Sequence, residues 1–355
     1  MLNKSTPNSD KVLDTKNALC PVPVLLTRES MVKMMTGQIL KVIVRDPIAK
    51  SDISIWAERT GNNVLKIEEL NDKIILYIQK GDSKNVLEDD EDIQMSTKKV
   101  EHRRLYSGEI MARTIESYVA LEAPAHIKVN NKSAVTIIAT PTHLKDLAVG
   151  YLLDEDIIDN IGQIIDIEVN GTEILVRTKT DATDRIKASE TNQLITSECV
   201  SLEHYLRLGD RRRLPESKSD YKINVSELRK MIKKFNSRRT DKIHPGGIHS
   251  ASLFEKGEMK HYLMDISRHS AVDKVFGAGA RDGIDFAQSI IITSGRQPAG
   301  MVLKAAQMNI PISVSMRGPI YSGIFVAQRT GITLVCYASA NRLDIHSKYD
   351  RILSP

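Results

Sequence analysis

The chain holds three cysteines, Cys20, Cys199 and Cys336, and the first stands directly before a Pro-x-Pro in the stretch ALCPVPVLLTRE, Ala18 to Glu29. A helix start exposes unpaired N–H groups and carries partial positive charge, and proline is tolerated there because its missing donor is not needed. A thiol at that mouth is favoured as thiolate. That makes the sulfur nucleophilic and able to carry a terminal sulfur atom as a persulfide. The alternative is a small apolar residue buried in a turn. Three cysteines cannot build a disulfide framework, and none belongs to a Cys-x-x-Cys pair of the kind that marks a structural zinc. Cys336 falls inside the apolar run ITLVCYA (332–338) and reads as core.

Four further segments mix glycine with arginine, histidine or lysine: HPGGIHSA (244–251), DISRHSAVDKVFG (265–277), SGRQPAGMVLKA (294–305) and YASANRLDIHS (337–347). Glycine lets a backbone approach a ligand closely, and Arg268, Arg296 and Arg342 can donate paired bonds to phosphates. Ser294-Gly295-Arg296 follows an apolar strand, where α/β folds place their sites. A buried pairing of Arg268 or His269 with Asp273 is the structural alternative. Net charge is +5, concentrated in RLGDRRRLPESK (207–218) and RKMIKKFNSRRTDK (229–242). These stretches suit an anionic ligand or an acidic partner. With only Tyr205, Tyr221 and Phe235 nearby to stack on bases, a solvated basic helix is the better reading than nucleic-acid binding.

The elements that must position these residues fall into two blocks, as the length and the 41 % apolar, 27 % charged composition allow. No run of about 18 apolar residues is present to cross a bilayer, and the N-terminus has no apolar signal segment, so the expected location is the cytoplasm. Residues 1–80 predict a small α+β two-layer sandwich. A short strand near Val12 precedes a helix from Pro21 with Val24, Leu25, Met31, Val32 and Met35 on its inner face and Gly37 as its stop. A strand at 39–45, a helix at about 51–59 and a hairpin through Asn71-Asp72 complete the unit, with Trp56 in its core. The charged stretch 81–104 reads as a linker.

From 105 to 355 the pattern predicts an α/β domain. Strands meet at Asn130-Asn131, a helix after Thr142 carries Leu144, Leu147, Ala148, Tyr151 and Leu152 on one face, and another hairpin turns at Asn170-Gly171. Apolar strands at 289–296, 310–316 and 332–338 alternate with helical lengths, pointing to a buried, mainly parallel sheet.

The stretch from Leu13 to Leu65 resembles the TusA/SirA family of small sulfur carriers. It shares the Leu-Asp start, Cys-Pro-x-Pro, the glycine before the central strand, Asp46-Pro47, Asp52 and Trp56. The resemblance implies that Cys20 accepts sulfur from a cysteine desulfurase and passes it on. From about Arg113 onward the chain resembles the FdhD/NarQ family of formate dehydrogenase accessory sulfurtransferases. The likeness rests on Gly246 to His249, Arg268 to Lys274 and Ser294 to Arg296. It implies a cytidine-deaminase-like core, although the zinc signature of deaminases is missing and fold alone carries no activity.

That family relays sulfur to the bis-molybdopterin guanine dinucleotide form of the molybdenum cofactor through a Cys-Gly-x-Cys loop. Here the loop reads TSECVSLEH, with Cys199 at the first position and Leu202 at the second. One thiol still carries one persulfide, but release by a disulfide within this loop is excluded. The family's guanine-dinucleotide contact, Gly-Phe-x-x-x-Gly-Arg, becomes Cys336, Tyr337, Ala338, Ser339, Ala340, Asn341 and Arg342. An aromatic ring and an arginine remain and both glycines are lost. MDISRH likewise lacks the glutamate and glycine of Glu-Asp-x-Gly-Arg-His.

The expectation is a sulfur relay from a desulfurase through Cys20 and Cys199 to the molybdenum cofactor. The cofactor would be held by Tyr337 to Arg342, His249, Arg268 and Arg296, and the relay would serve formate dehydrogenase or a related molybdoenzyme. A cofactor chaperone without transfer at Cys199, and a carrier for transfer-RNA thiolation, are the alternatives. A homodimer is compatible with the sequence, and no metal site of the protein's own is expected.

Overall fold

The computed structural model describes residues 7–16, 18, 22–70, 72–81, 96–104, 113–193, 214–238, 247–339 and 341–354. Its contacts divide the chain into two units, Met1–Glu91 with Asn236–His244, and Asp92–Phe235 with Pro245–Pro355.

The first unit runs β1 (Lys11–Asp14), α1 (Val22–Val32), β2 (Ile39–Val44), α2 (Pro47–Arg59), β3 (Asn63–Leu70) and β4 (Lys73–Gln79). Its sheet has the order β1-β2-β4-β3, with β1 and β2 parallel and the other pairs antiparallel. Side chains alternate across a strand, so Leu40, Val42 and Val44 of β2 and Ile74, Leu76 and Ile78 of β4 share one face. They meet Met31 of α1 and Ala49, Ile53 and Ala57 of α2 in a single core, against which Trp56 is partly buried. The helix α1 ends at Val32, earlier than the apolar spacing predicts. Met31 is therefore buried, while Val32 and Met35 are 71 % and 72 % exposed. Gly37, at φ 88°, makes the turn into β2 instead of closing the helix.

In the second unit β5 (Thr97–Arg104) and β6 (Arg113–Ala120) pair antiparallel. The strand β5 thus occupies the end of the stretch that reads as a linker. Its pattern is charged instead of apolar, and β6 supplies both the backbone ladder and a carboxylate, Glu116, 2.5 Å from Lys99. Next come β7 (Ala123–Val129), β8 (Lys132–Ala139), α3 (Leu144–Asp154), β9 (Ile164–Asn170), β10 (Glu173–Thr178) and α4 (Thr183–Gln193). Asn130 and Asn131 both adopt positive φ, as a two-residue hairpin with right-handed strand twist requires. The four strands order as β8-β7-β10-β9.

The remainder is β11 (Ile223–Asn224), α5 (Val225–Arg238), β12 (His249–Glu255), β13 (Glu258–Asp265), α6 (Arg268–Arg281), β14 (Ser289–Thr293), α7 (Ala299–Gln307), β15 (Ile312–Ser315), α8 (Tyr321–Thr330), β16 (Thr333–Cys336), β17 (Asp344–Ile345) and β18 (Ile352–Leu353). The main sheet has six strands, β13-β12-β14-β15-β16-β17. It is mixed where the sequence suggests mainly parallel. The strands β14, β15 and β16 are parallel, while β13–β12, β12–β14 and β16–β17 are antiparallel. Connection length decides this, because α7 and α8 separate the parallel strands whereas only a tight turn joins β12 to β13.

One face of this sheet packs under α3, α6, α7 and α8. The other is closed by α5, whose Leu228, Met231, Ile232 and Phe235 meet Ile290, Ile292, Ile312 and Val314. Arg229, Lys230, Lys233 and Lys234 face solvent, so this basic helix is an amphipathic cover. The helix α3 is buried from Asp146 to Leu153 instead of along one face. It crosses α6 so closely that a Cβ on Gly150 would stand 1.8 Å from the Asp273 carbonyl oxygen, and one on Gly277 1.9 Å from that of Asp146. Among the described residues no helix is long and apolar enough to cross a membrane.

Candidate functional site

Cys20 and Cys199 lie outside the described residues, as does Ala340. Thr15 and Ala18, among the described residues before Cys20, are held by backbone bonds. Thr15 donates its N–H and its hydroxyl to the Ile43 carbonyl at 2.8 and 3.0 Å, and the Ala18 N–H donates to the Thr15 carbonyl at 3.0 Å. Asp14, Thr15, Lys16 and Ala18, with Leu26, Arg45 and Asp72, line a groove of 590 Å³. Lys16 is paired with Asp14 at 3.2 Å. The groove offers two cations and two carboxylates, a lining suited to a polar or zwitterionic segment.

In the second unit the strand directions bring most of the other candidates to one edge of the main sheet. His249 opens β12 and lies opposite Asp265, the last residue of β13. Ser294 follows β14, donates its N–H to the Ser250 carbonyl at 2.9 Å, and its hydroxyl lies 3.3 Å from His249 Nδ1. Gly295 is a point of close approach, since a Cβ there would stand 2.8 Å from Cβ of Arg268. The stem of Arg268 therefore lies across the Ser-Gly-Arg turn, beside the exposed Arg296. The strand β16 delivers Tyr337, Ser339, Asn341 and Arg342 to the same edge, where the Ala338 N–H donates to the Ser315 carbonyl at 3.0 Å. Ala338 itself is buried in the core below, so its methyl is no ligand contact.

Charges buried under this edge hold it in place. Lys274 and Asp265 are fully buried and 2.7 Å apart. Asp265 also accepts from the backbone N–H groups of Thr140 and Ser267, and Lys274 donates to the Thr140 carbonyl at 2.9 Å. Ser267, where the resembled motif has glycine, caps α6 by accepting from the Ser270 N–H. Asp273 pairs with neither Arg268 nor His269. Its partner is Lys304 on α7, at 2.8 Å, and Lys304 also bonds Asp154 of α3. Burial is the largest influence on the Asp154 carboxyl and, with the nearby Asp273 and Glu155 charges, outweighs Lys304, raising its pKa to about 7. His269 packs against Gly300. Burial, then the charges of Lys304, Arg268 and His249, pushes its pKa down to about 3, so its imidazole is neutral at pH 7.

At the far end of the edge Tyr337 has positive φ, 50°, and its ring lies on Gly318, where a Cβ would stand 2.4 Å from the phenol oxygen. The Arg342 guanidinium sits 4.6 Å from the centre of that ring. Its fork is taken by Asp344, with Nε to Oδ1 at 2.9 Å and Nη2 to Oδ2 at 2.5 Å. Cys336 is fully buried, and burial raises its thiol to about 12, so it is a core residue. Arg317, two residues beyond β15 and hydrogen-bonded through its carbonyl to the Tyr337 N–H, is not among the expected candidates. The signal was present, since Arg317-Gly318-Pro319 follows an apolar strand as Ser294-Gly295-Arg296 does. Gln297 is a second addition. It donates to the Thr293 hydroxyl at 2.7 Å, and its Oε1 is buried without a partner among the described residues. Among those residues no cluster of histidine, cysteine or carboxylate side chains is arranged to hold a metal ion.

Arginines and a tyrosine at the carboxyl ends of parallel strands mark the α/β unit, which one chain joins to a small α+β unit. The chain belongs to the FdhD/NarQ family, whose model matches residues 120–353. Residues 11–80 match the model described as Sulfurtransferase TusA. The sulfur carrier protein FdhD of Listeria innocua is 30 % identical over 241 residues, which are 67 % of this chain and 92 % of that protein. That of Methanothermobacter thermautotrophicus is 30 % identical over 244 residues, 68 % of this chain and 94 % of that protein. A crystal structure from Desulfotalea psychrophila, described as a candidate formate dehydrogenase accessory protein, aligns with a TM-score of 0.59 at 24 % identity. It covers 73 % of this chain and all of that one, a likeness of fold.

Proposed function

We propose that the chain is a sulfur carrier that relays persulfide sulfur from a cysteine desulfurase to the molybdenum cofactor of a formate dehydrogenase or a related molybdoenzyme, in the cytoplasm. The observation that carries this reading is the presence, in one polypeptide, of a TusA-type segment and an FdhD/NarQ-type segment. Relatives of the second segment carry the name sulfur carrier protein. In this reading residues 1–80 are the carrier domain, 81–104 connect the two, and 105–355 form the transferase domain. A cytidine-deaminase-like core is part of this reading, and three parallel strands with helices between them are compatible with it.

In each transfer between thiols the acceptor thiolate attacks the outer sulfur of the donor persulfide. A new S–S bond forms, the old one breaks, and the donor leaves as thiolate, with no change in the number of electrons. Cys20 passes sulfur to Cys199 in this way, and release of that sulfur from Cys199 to the cofactor as sulfide would take up two electrons, supplied by a thiol reductant, with Cys199 leaving as thiolate. A tether raises the local concentration of the partner thiol to the order of mM. The arginine-lined edge is the place for the cofactor's guanine dinucleotide, with Tyr337 as stacking surface and His249, Arg268 and Arg296 around it.

Intact-mass measurement after incubation with a desulfurase and cysteine tests the relay. Sulfur on both cysteines in the wild type, and none on Cys199 in Cys20→Ser, is the expected result. A bare Cys199 in a wild type loaded at Cys20 would favour the second reading, a cofactor-binding chaperone beside an independent carrier. The residue that supports this alternative is Leu202, which stands where the family loop has its second cysteine.

A further inference from the structure

We infer that Arg317 is the residue that takes the phosphates of the ligand at this edge, and that Arg342, which the resemblance puts in that role, acts instead by holding Tyr337. The inference rests on the reading of the edge as a nucleotide site and assigns the anion contact within it.

The argument begins with what Arg342 has left to give. Its Nε/Nη2 edge is spent on Asp344, at 2.9 and 2.5 Å, one face of the guanidinium lies over Tyr337 at 4.6 Å, and only the Nη1 edge, beside the Asp344 carboxylate, is left. A phosphate approaching that remaining edge would meet the negative charge of the Asp344 carboxylate on the same guanidinium. Two anions on one guanidinium repel each other and share a single positive charge, which weakens its hold on the second. What remains is a clamp: Asp344 fixes Arg342, and Arg342 fixes the ring.

Arg317 has the opposite character. It is exposed and makes no ion pair among the described residues. Its backbone is nevertheless fixed on both sides. Its N–H donates to the Ser315 hydroxyl at 2.9 Å, and its carbonyl accepts from the Tyr337 N–H at 3.1 Å. The Ser315 hydroxyl in turn donates to the Gly295 carbonyl at 2.6 Å, linking Arg317 to the Ser-Gly-Arg turn. The next residue, Gly318, is the one on which the Tyr337 ring rests. A charged, uncommitted fork therefore starts beside the stacking surface, at the end of the central parallel strand. The acids of this edge are already engaged, Asp265 by Lys274 and Asp344 by Arg342.

The test is calorimetric titration of the full chain with GDP at several salt concentrations. Arg317→Ala, an exposed substitution, is expected to weaken binding at least tenfold, about 1.4 kcal/mol, and to flatten the salt dependence. Arg342→Ala is expected to change affinity less than about threefold, to leave the salt slope unchanged, and to have no effect in a Tyr337→Leu background. If Arg342→Ala carries away both affinity and salt slope while Arg317→Ala leaves them, the assignment is wrong and the nucleotide site stands. If the wild type does not bind GDP at any salt concentration, the site itself is wrong and the assignment falls with it.

Discussion

The two units hold their chemistry in different ways. In the first, the thiol of interest, the proline pair and the helix that follows come from one continuous stretch, Ala18 to Glu29. In the second, the edge is gathered from strand ends between His249 and Asp344 and is braced by ion pairs buried beneath it. A site of the first kind depends on its own few residues. A site of the second kind depends on partners far away in sequence, so substitutions below the edge should act through stability and substitutions on it through ligand affinity.

The sharpest way to break this contrast is Lys274→Met. It leaves Asp265 in the core without its cation, held only by the Thr140 and Ser267 N–H groups, and removing one partner of a buried pair costs about 3–5 kcal/mol. The sole tryptophan, Trp56, belongs to the first unit, so its fluorescence should follow an unchanged urea transition while the far-ultraviolet signal of the second unit moves to lower urea. A shift of both transitions would mean that the units do not unfold separately. Gly150→Ala should cost the second unit about 1–3 kcal/mol, because the new methyl meets the Asp273 backbone and not a side chain that can move aside. Hydrogen exchange on α3 and α6 should report the loss.

Acid titration sharpens the comparison further. Asp154 binds its proton more tightly in the folded protein, at about 7 against 3.8 for the free side chain. Its contribution is present in full below about 4 and is lost as the pH rises to about 7, with a slope of up to ~1.4 kcal/mol per unit. Asp154→Asn should remove that slope from the second unit's unfolding curve and leave the Trp56 transition alone. The smallest effect belongs to Arg342→Ala, which removes an exposed ion pair and should alter stability by less than ~1 kcal/mol in thermal melts.

Much of the framework was legible in the amino-acid order. Asn130-Asn131 and Asn170-Gly171 marked their hairpins, and the three apolar runs became β14, β15 and β16. These are local signals, carried by turn residues and short periodicities. What was hidden depended on distant partners. The strand β5 exists because β6 lies beside it, and its own charged residues give no sign of it. Nothing in the order of the two polar motifs shows that Lys274 and Lys304 are consumed by carboxylates, Asp265 in one case and Asp154 and Asp273 in the other. Arg342 was recognisable as a motif residue, but its engagement with Asp344 appears only once the chain turns after β16.

The buried linkage of Asp154, Lys304 and Asp273 ties α3, α6 and α7 together just below the edge. Its consequence reaches into how such a protein can diverge. Because the position of the strand ends is set from underneath, the residues displayed on top are free to be exchanged without loss of shape. The replacement of a glycine-flanked motif by Cys336 to Arg342 is the kind of change that such a foundation tolerates. Ligand preference can then drift in small steps while the architecture is inherited intact.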